Sequence, residues 1–204
     1  MFYYLYKISE ELSEKLENTD INKLKEKNAD DVFFDNRHIL KENDEENSQI
    51  KSKINGHVVL QGLNKKIFFE IRLSSKLLLI ESLNQKLKDD AFEKLELFFK
   101  SKMDEELENF SPNSYNEHKM LFNAEDFDLK FVHNGTIVDG DIDDELEDKY
   151  RQKELGKDYR LIEADIQLTD DISFYYYRKS IMIPDEYDEN SKETVLQTFE
   201  HAMI

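Results

Sequence analysis

Residues 57–103, HVVLQGLNKKIFFEIRLSSKLLLIESLNQKLKDDAFEKLELFFKSKM, hold the densest apolar pattern of the chain and decide how the rest is read. Val58 and Leu60 fit a strand. Ile67, Phe69, Ile71 and Leu73 alternate with Phe68, Glu70 and Arg72, the period of a half-buried strand. Ser74, Ser75 and Lys76 leave room for a tight turn. Leu77 to Ile80 is an unbroken apolar run, as in a strand covered on both faces. From Leu83 the period becomes helical, with Leu83, Leu87, Ala91, Leu95, Phe98/Phe99, Met103 and Leu107 on one stripe. Asp90/Lys94 and Glu96/Lys100 are acidic-then-basic pairs four residues apart, each adding only about 0.2–0.5 kcal/mol. Burial must therefore hold this helix, since each fully buried side chain of the stripe contributes about 1.5–3 kcal/mol.

Outward from this stretch, Phe2 to Ile8 alternates as a strand. Ser9 then caps a helix with Glu10 and Glu11 in its first turn and Leu12 and Leu16 as its stripe. Thr19 or Asp20 caps another that carries Ile21 and Leu24. Val32 to Phe34 and Ile39-Leu40 are short apolar islands, and Lys41 to Gln49 reads as a loop with nothing to bury. Ser111-Pro112-Asn113 ends the long helix. Phe127, Leu129 and Phe131 alternate with Asp126, Asp128 and Lys130, and Asn134-Gly135 is a two-residue hairpin signal before Ile137 and Val138. Asp143 to Glu154 reads as a surface helix. Ile162, Ala164, Ile166 and Leu168 line one face of a strand, and Phe174 to Ile183 forms another, stopped by Pro184. Asn190 caps a last helix with Val195, Phe199 and Ala202/Met203 as its stripe.

These elements specify an α+β fold. Its largely antiparallel sheet is built from hairpins and packed by one long amphipathic helix and several short ones. The 204 residues suffice for a single α+β domain over 1–204, or for two subdomains, 1–110 and 113–204, divided near Ser111-Pro112. Aromatic content of 12% marks a packed core. The chain has no cysteine, which excludes disulfides, thiolate nucleophiles and cysteine-based zinc sites and suits a cytoplasmic protein. No apolar run approaches the roughly 20 residues that span a bilayer, so no membrane partner is expected. The Lys, Asn, Ile and Glu richness matches a low-GC bacterial or phage coding sequence.

Charge is unevenly spread. Residues 47–102 carry eleven Lys and Arg against six Asp and Glu, a net of +5, so the remainder carries −23 of the chain's total of −18. A surplus of this size disfavours general binding to nucleic acid or anionic lipid and favours a basic protein partner, in one version by imitating the charge of DNA. Lys65, Lys66, Arg72 and Lys76, with Lys86 and Lys88, are the candidate binding residues if the basic stretch converges on a phosphate. Phe68 beside Lys66 and Arg72 gives the partial aromatic interleaving of a single-strand binder.

The residues with predictable geometry surround Asn134-Gly135. A two-residue turn places Lys130 opposite Asp139 and Asp128 opposite Asp141, on the face away from Phe127, Leu129 and Phe131. Opposed like charges weaken a sheet. Fraying, compensation by lysine, or a hard divalent cation such as Mg²⁺ or Ca²⁺ would relieve them. With a metal on Asp128, Asp139 and Asp141, Lys130 would complete a phosphodiester-cleaving site. Asp128-Leu129-Lys130 has the acid-x-Lys order of some nucleases, a pattern too short to assign one. DGDIDDELEDKY lacks the central Gly and final Glu of an EF-hand loop. The five histidines are dispersed, and no phosphate-cradling Gly pattern or nucleophile elbow is present. The expected function is therefore a non-enzymatic acidic interaction or regulatory protein, of the immunity, phage-defence or counter-defence kind, with no cofactor. A metal-dependent hydrolase or nuclease using the acidic hairpin, and nucleic-acid binding through residues 47–102, are the alternatives.

Overall fold

A computed structural model describes residues 1–27, 31–40, 51–105, 107–109, 126–134, 136–139, 144–152, 154, 159–177 and 180–203. The chain divides into two compact units, Phe2–Phe110 and Ser111–Ile204 with Met1. Both mix helices with antiparallel strands.

In the first unit the strands are β1 (Phe2–Ile8), β2 (Val32–Leu40), β3 (Lys51–Leu60), β4 (Lys65–Arg72), β5 (Leu77–Ser82) and β6 (Leu107–Asn109). They run in the order β2-β3-β4-β5-β1, with β6 also on β1. The helices α1 (Glu10–Glu17), α2 (Ile21–Glu26) and α3 (Gln85–Met103) contribute to a core on one face of this sheet. Alternation selects that face: Ile54, Val58 and Leu60 of β3, Ile67, Phe69 and Ile71 of β4, and Leu78 and Ile80 of β5 all turn into it. From α3 it receives Leu87, Ala91, Leu95, Phe98, Phe99 and Met103. Phe34 of β2 meets Phe69 edge-on at 5.7 Å and lies 5.4 Å from Phe98.

Gly56 makes this aromatic packing fit. It pairs with Phe34 on one side and Phe69 on the other. A Cβ at position 56 would lie 2.4 Å from the Phe69 ring and 2.3 Å from the backbone oxygen of Phe33. The missing side chain is the space into which Phe69 leans.

Several elements differ from the sequence expectation. Leu83 lies outside α3 and is exposed, because the Asn84 side chain accepts from the Leu87 amide and starts the helix there. Asp104, with φ 58°, closes the helix, and Leu107 falls in β6 opposite Ile8. The islands at 32–34 and 39–40 belong to one strand, whose polar middle (DNR) sits at a bulge in the pairing with β3. Asp20 is the residue that caps α2. Helix α3 therefore ends well before Ser111-Pro112-Asn113, the stop that the sequence suggests, and the expected loop at 41–49 lies outside the described residues.

In the second unit β7 (Asp126–His133), β8 (Thr136–Asp139), β9 (Tyr159–Thr169), β10 (Ile172–Tyr177) and β11 (Ser180–Met182) run in the order β11-β10-β9-β7-β8. The helices are α4 (Asp144–Arg151) and α5 (Glu189–Met203). Phe174 to Ile183 was expected as one strand; it is a hairpin, Tyr177 pairing with Ser180. The Asp188 side chain, not Asn190, accepts from the Ser191 amide at the start of α5. The core face carries Leu129, Phe131, Ala164, Ile166, Phe174, Tyr176 and Ile181, with Val195, Leu196 and Phe199 from α5 also buried. Among the described residues no helix is long and apolar enough to cross a membrane.

Gly56→Ala should lower the unfolding free energy by about 1–3 kcal/mol, because either Phe69 or the β2 backbone must shift. At Gly62 an added Cβ meets nothing within 4 Å, and Gly62→Ala should stay within about 0.5 kcal/mol of the parent. Urea unfolding of the two variants measures the contrast.

Candidate functional site

The polar face of the second unit's sheet is built by register. Paired residues of antiparallel strands point to the same side, so two rows run across it. Met182, Tyr175, Asp165 and Asp128 make one, and Ser180, Tyr177, Glu163 and Lys130 make the other. Ile137 and its partner Val132 lie beyond, on the same side. A bulge in β9 adjusts the phase. Leu161, not Ile162, takes the buried place opposite Phe131, while Glu163 keeps its place opposite Lys130.

The charges are organised around Glu163. Lys130 Nζ donates to Glu163 Oε1 at 2.8 Å, and the Tyr175 hydroxyl donates to the same carboxylate. These two donors, Lys130 foremost, hold the Glu163 carboxyl below its ordinary range. Burial, then Glu163 itself, pushes the Tyr175 phenol up to about 12. The Tyr175 and Tyr177 rings lie parallel, 6.4 Å apart. Asp128 faces Asp165 across the ladder, and both are exposed.

Lys130 thus neutralises Glu163, leaving the Asp128/Asp165 pair in solvent. Asp139 stands opposite Lys130 in the ladder, and Asp141 lies outside the described residues. Among the described residues no three His, Asp or Glu side chains gather closely enough to hold a metal ion. Glu163 and Asp165 were not singled out from the sequence, whereas the tyrosines of FYYYRK alternate across the strand faces by pattern alone, and Tyr177 is exposed while Tyr176 is buried. The alternation of Glu163 and Asp165 with Ala164 was legible, but nothing local specifies that β9 docks beside β7.

The basic stretch does not converge. Lys65 and Lys66 are exposed at one end of β4, about 20–23 Å along the strand from Arg72 at the rate of roughly 3.3 Å per residue. Arg72 was expected among the binding residues, and the fold removes it from them. It is 2% exposed, its Nε donates to Glu70 Oε1 at 2.6 Å, and Lys53 Nζ lies 3.1 Å from the other oxygen of Glu70. A guanidinium so enclosed is a structural cation. Lys76 pairs with Glu10 at 2.7 Å. Lys88 pairs with Asp89 and lies over the Tyr4 ring, 5.3 Å from its centroid. Phe68 is exposed near His57, which stacks on Phe33 and contacts Asp35 through Nδ1 at 2.9 Å.

No known family model matches this chain, and no curated protein matches it.

Two outcomes follow from these contacts. Arg72→Ala should cost about 3–5 kcal/mol in urea unfolding, because it breaks a buried ion pair, whereas Lys65→Ala should cost under about 0.5 kcal/mol. In ¹³C-tyrosine NMR titrations one phenol should ionise near 12 and be missing in Tyr175→Phe. Glu163→Gln should move that ionisation down. Because folding raises this group above its free value, its contribution to stability is whole below about pH 10 and is lost as pH rises toward the folded-state value.

Proposed function

We propose that this protein is a non-catalytic binding module whose acidic, tyrosine-bearing sheet face takes a basic protein surface. One observation carries the reading. Ile137, Tyr177 and Met182 are 65%, 42% and 40% exposed on the side of the sheet that also presents Asp128 and Asp165. Apolar and aromatic contact area on the same face as carboxylates that have no counter-ion among the described residues suits a partner that offers Lys or Arg. Tyrosine is enriched at protein interfaces, and a guanidinium gains both from a carboxylate and from a ring face.

The charge balance supports the same reading, since −23 lies outside residues 47–102. A regulator of the immunity, defence or counter-defence kind fits it, because proteins that grip nucleic acid present basic surfaces for an acidic protein to cover. The hydrolase reading draws less support, since Lys130 is engaged by Glu163. Nucleic-acid binding through the basic stretch loses its central cation with the burial of Arg72.

Affinity capture from a lysate of the source cell tests the proposal. The parent protein should retain a basic protein at low salt and release it as salt rises. Asp128→Lys combined with Asp165→Lys should abolish retention, while Glu26→Lys on the first unit should leave it unchanged. Equal retention by the double variant, or no retained protein at low salt, would end the reading.

A further inference from the structure

A second surface, separate from the face just described, lies on the first unit. A depression of about 380 Å³ forms between α3 and the single 3₁₀ turn Gln61–Leu63 that joins β3 to β4. Leu63 and Leu97 line it and are 54% and 59% exposed, with buried Leu60 beside them. One exposed leucine is ordinary, but two from different elements lining one depression form an apolar patch that the core does not use. Gly62 leaves the wall of the turn open, since a Cβ there would meet no atom within 4 Å.

The rim is acidic. Asp90 and Glu93 stand three residues apart on α3, neighbours on its surface. Lys94 was placed by spacing to pair with Asp90, but its ammonium goes to Asp31, 2.5 Å away. The one cation lining the depression is therefore neutralised, and among the described residues Asp90 and Glu93 have no counter-ion. An occupant must offer apolar side chains to Leu63 and Leu97 and positive charge to the rim. A second copy of this chain would bring the same acids against them in a two-fold contact, on top of a net charge of −18.

We infer that this groove docks a basic amphipathic helix of a partner protein, with leucine-type anchors against Leu63 and Leu97 and Lys or Arg residues opposite Asp90 and Glu93.

The test uses the ¹⁵N-labelled full chain and a synthetic helical peptide of alternating leucine and lysine faces. Addition should shift the amides of residues 61–63 and 90–97 saturably. Leu97→Glu, at an exposed position that leaves the core intact, should weaken binding about tenfold or more. Leu63→Glu should do the same, and Asp165→Lys should not. A matched leucine–glutamate peptide should leave the spectrum unchanged. The inference is overturned if the groove amides do not shift, if Leu97→Glu binds as well as the parent, or if the acidic peptide binds equally. It is also overturned if sedimentation shows a dimer that Leu97→Glu dissociates. Shifts confined to residues 128, 165 and 177 would sink the groove while leaving the acidic sheet face as the binding surface.

Discussion

The contact between Gly56 and the Phe69 ring sets the geometry of the first unit. Three adjacent strands meet at that point, with Phe34, Gly56 and Phe69 side by side. The glycine hydrogen allows the ring to lie across the middle strand, and the two phenylalanines then meet edge to face. Phe98 and Phe99 of α3 complete the cluster, so the helix is seated by the same absence of a side chain. Such packing is sensitive to single carbon atoms, because protein interiors are close-packed. Glycine normally weakens a strand. Here the loss of strand preference is offset by four large aromatic side chains buried around it.

Burial and charge are distributed differently in the two units. In the first, several polar and charged side chains on or beside the sheet are paired within the unit, although Lys65 and Lys66 stay exposed. Arg72 and Lys53 share Glu70, His57 contacts Asp35, and Lys94 holds Asp31. In the second, Lys130 and Glu163 satisfy each other but Asp128 and Asp165 remain in solvent beside exposed tyrosine. The basic character of residues 47–102 is therefore a property of the chain more than of one surface. A count of charges along a sequence does not say which of them are turned inward.

What could be read beforehand follows the range of the interaction concerned. Apolar residues at 87, 91, 95, 98, 99 and 103 share a helical face by spacing alone, and these are the residues α3 buries. The alternation of Ile67, Phe69 and Ile71 likewise names the buried side of β4. Local competition blurred the ends. Asn84 captured the start of α3, and the bulge near Asp35 interrupted the alternation of β2. The candidate face was half legible. Asp128 and Lys130 announce a polar side, but their neighbours Glu163 and Asp165 come from a strand some thirty residues on. Pairing at that distance depends on the whole core, so no short pattern records it. The burial of Arg72 was also hidden, since it follows Phe68 and Glu70 in what spacing alone reads as an outward row.

The hydrogen-bonded row of Lys130, Glu163 and Tyr175 has an entropic meaning beyond its electrostatics. Its side chains are already held in place by one another, and the stacked Tyr177 borders them. Ordering flexible side chains costs roughly 0.5–1.5 kcal/mol each on association, and groups fixed in advance largely escape that cost. A face built this way is preorganised. On the binding role proposed above, a partner meeting this face would spend less of its contact energy on immobilising side chains.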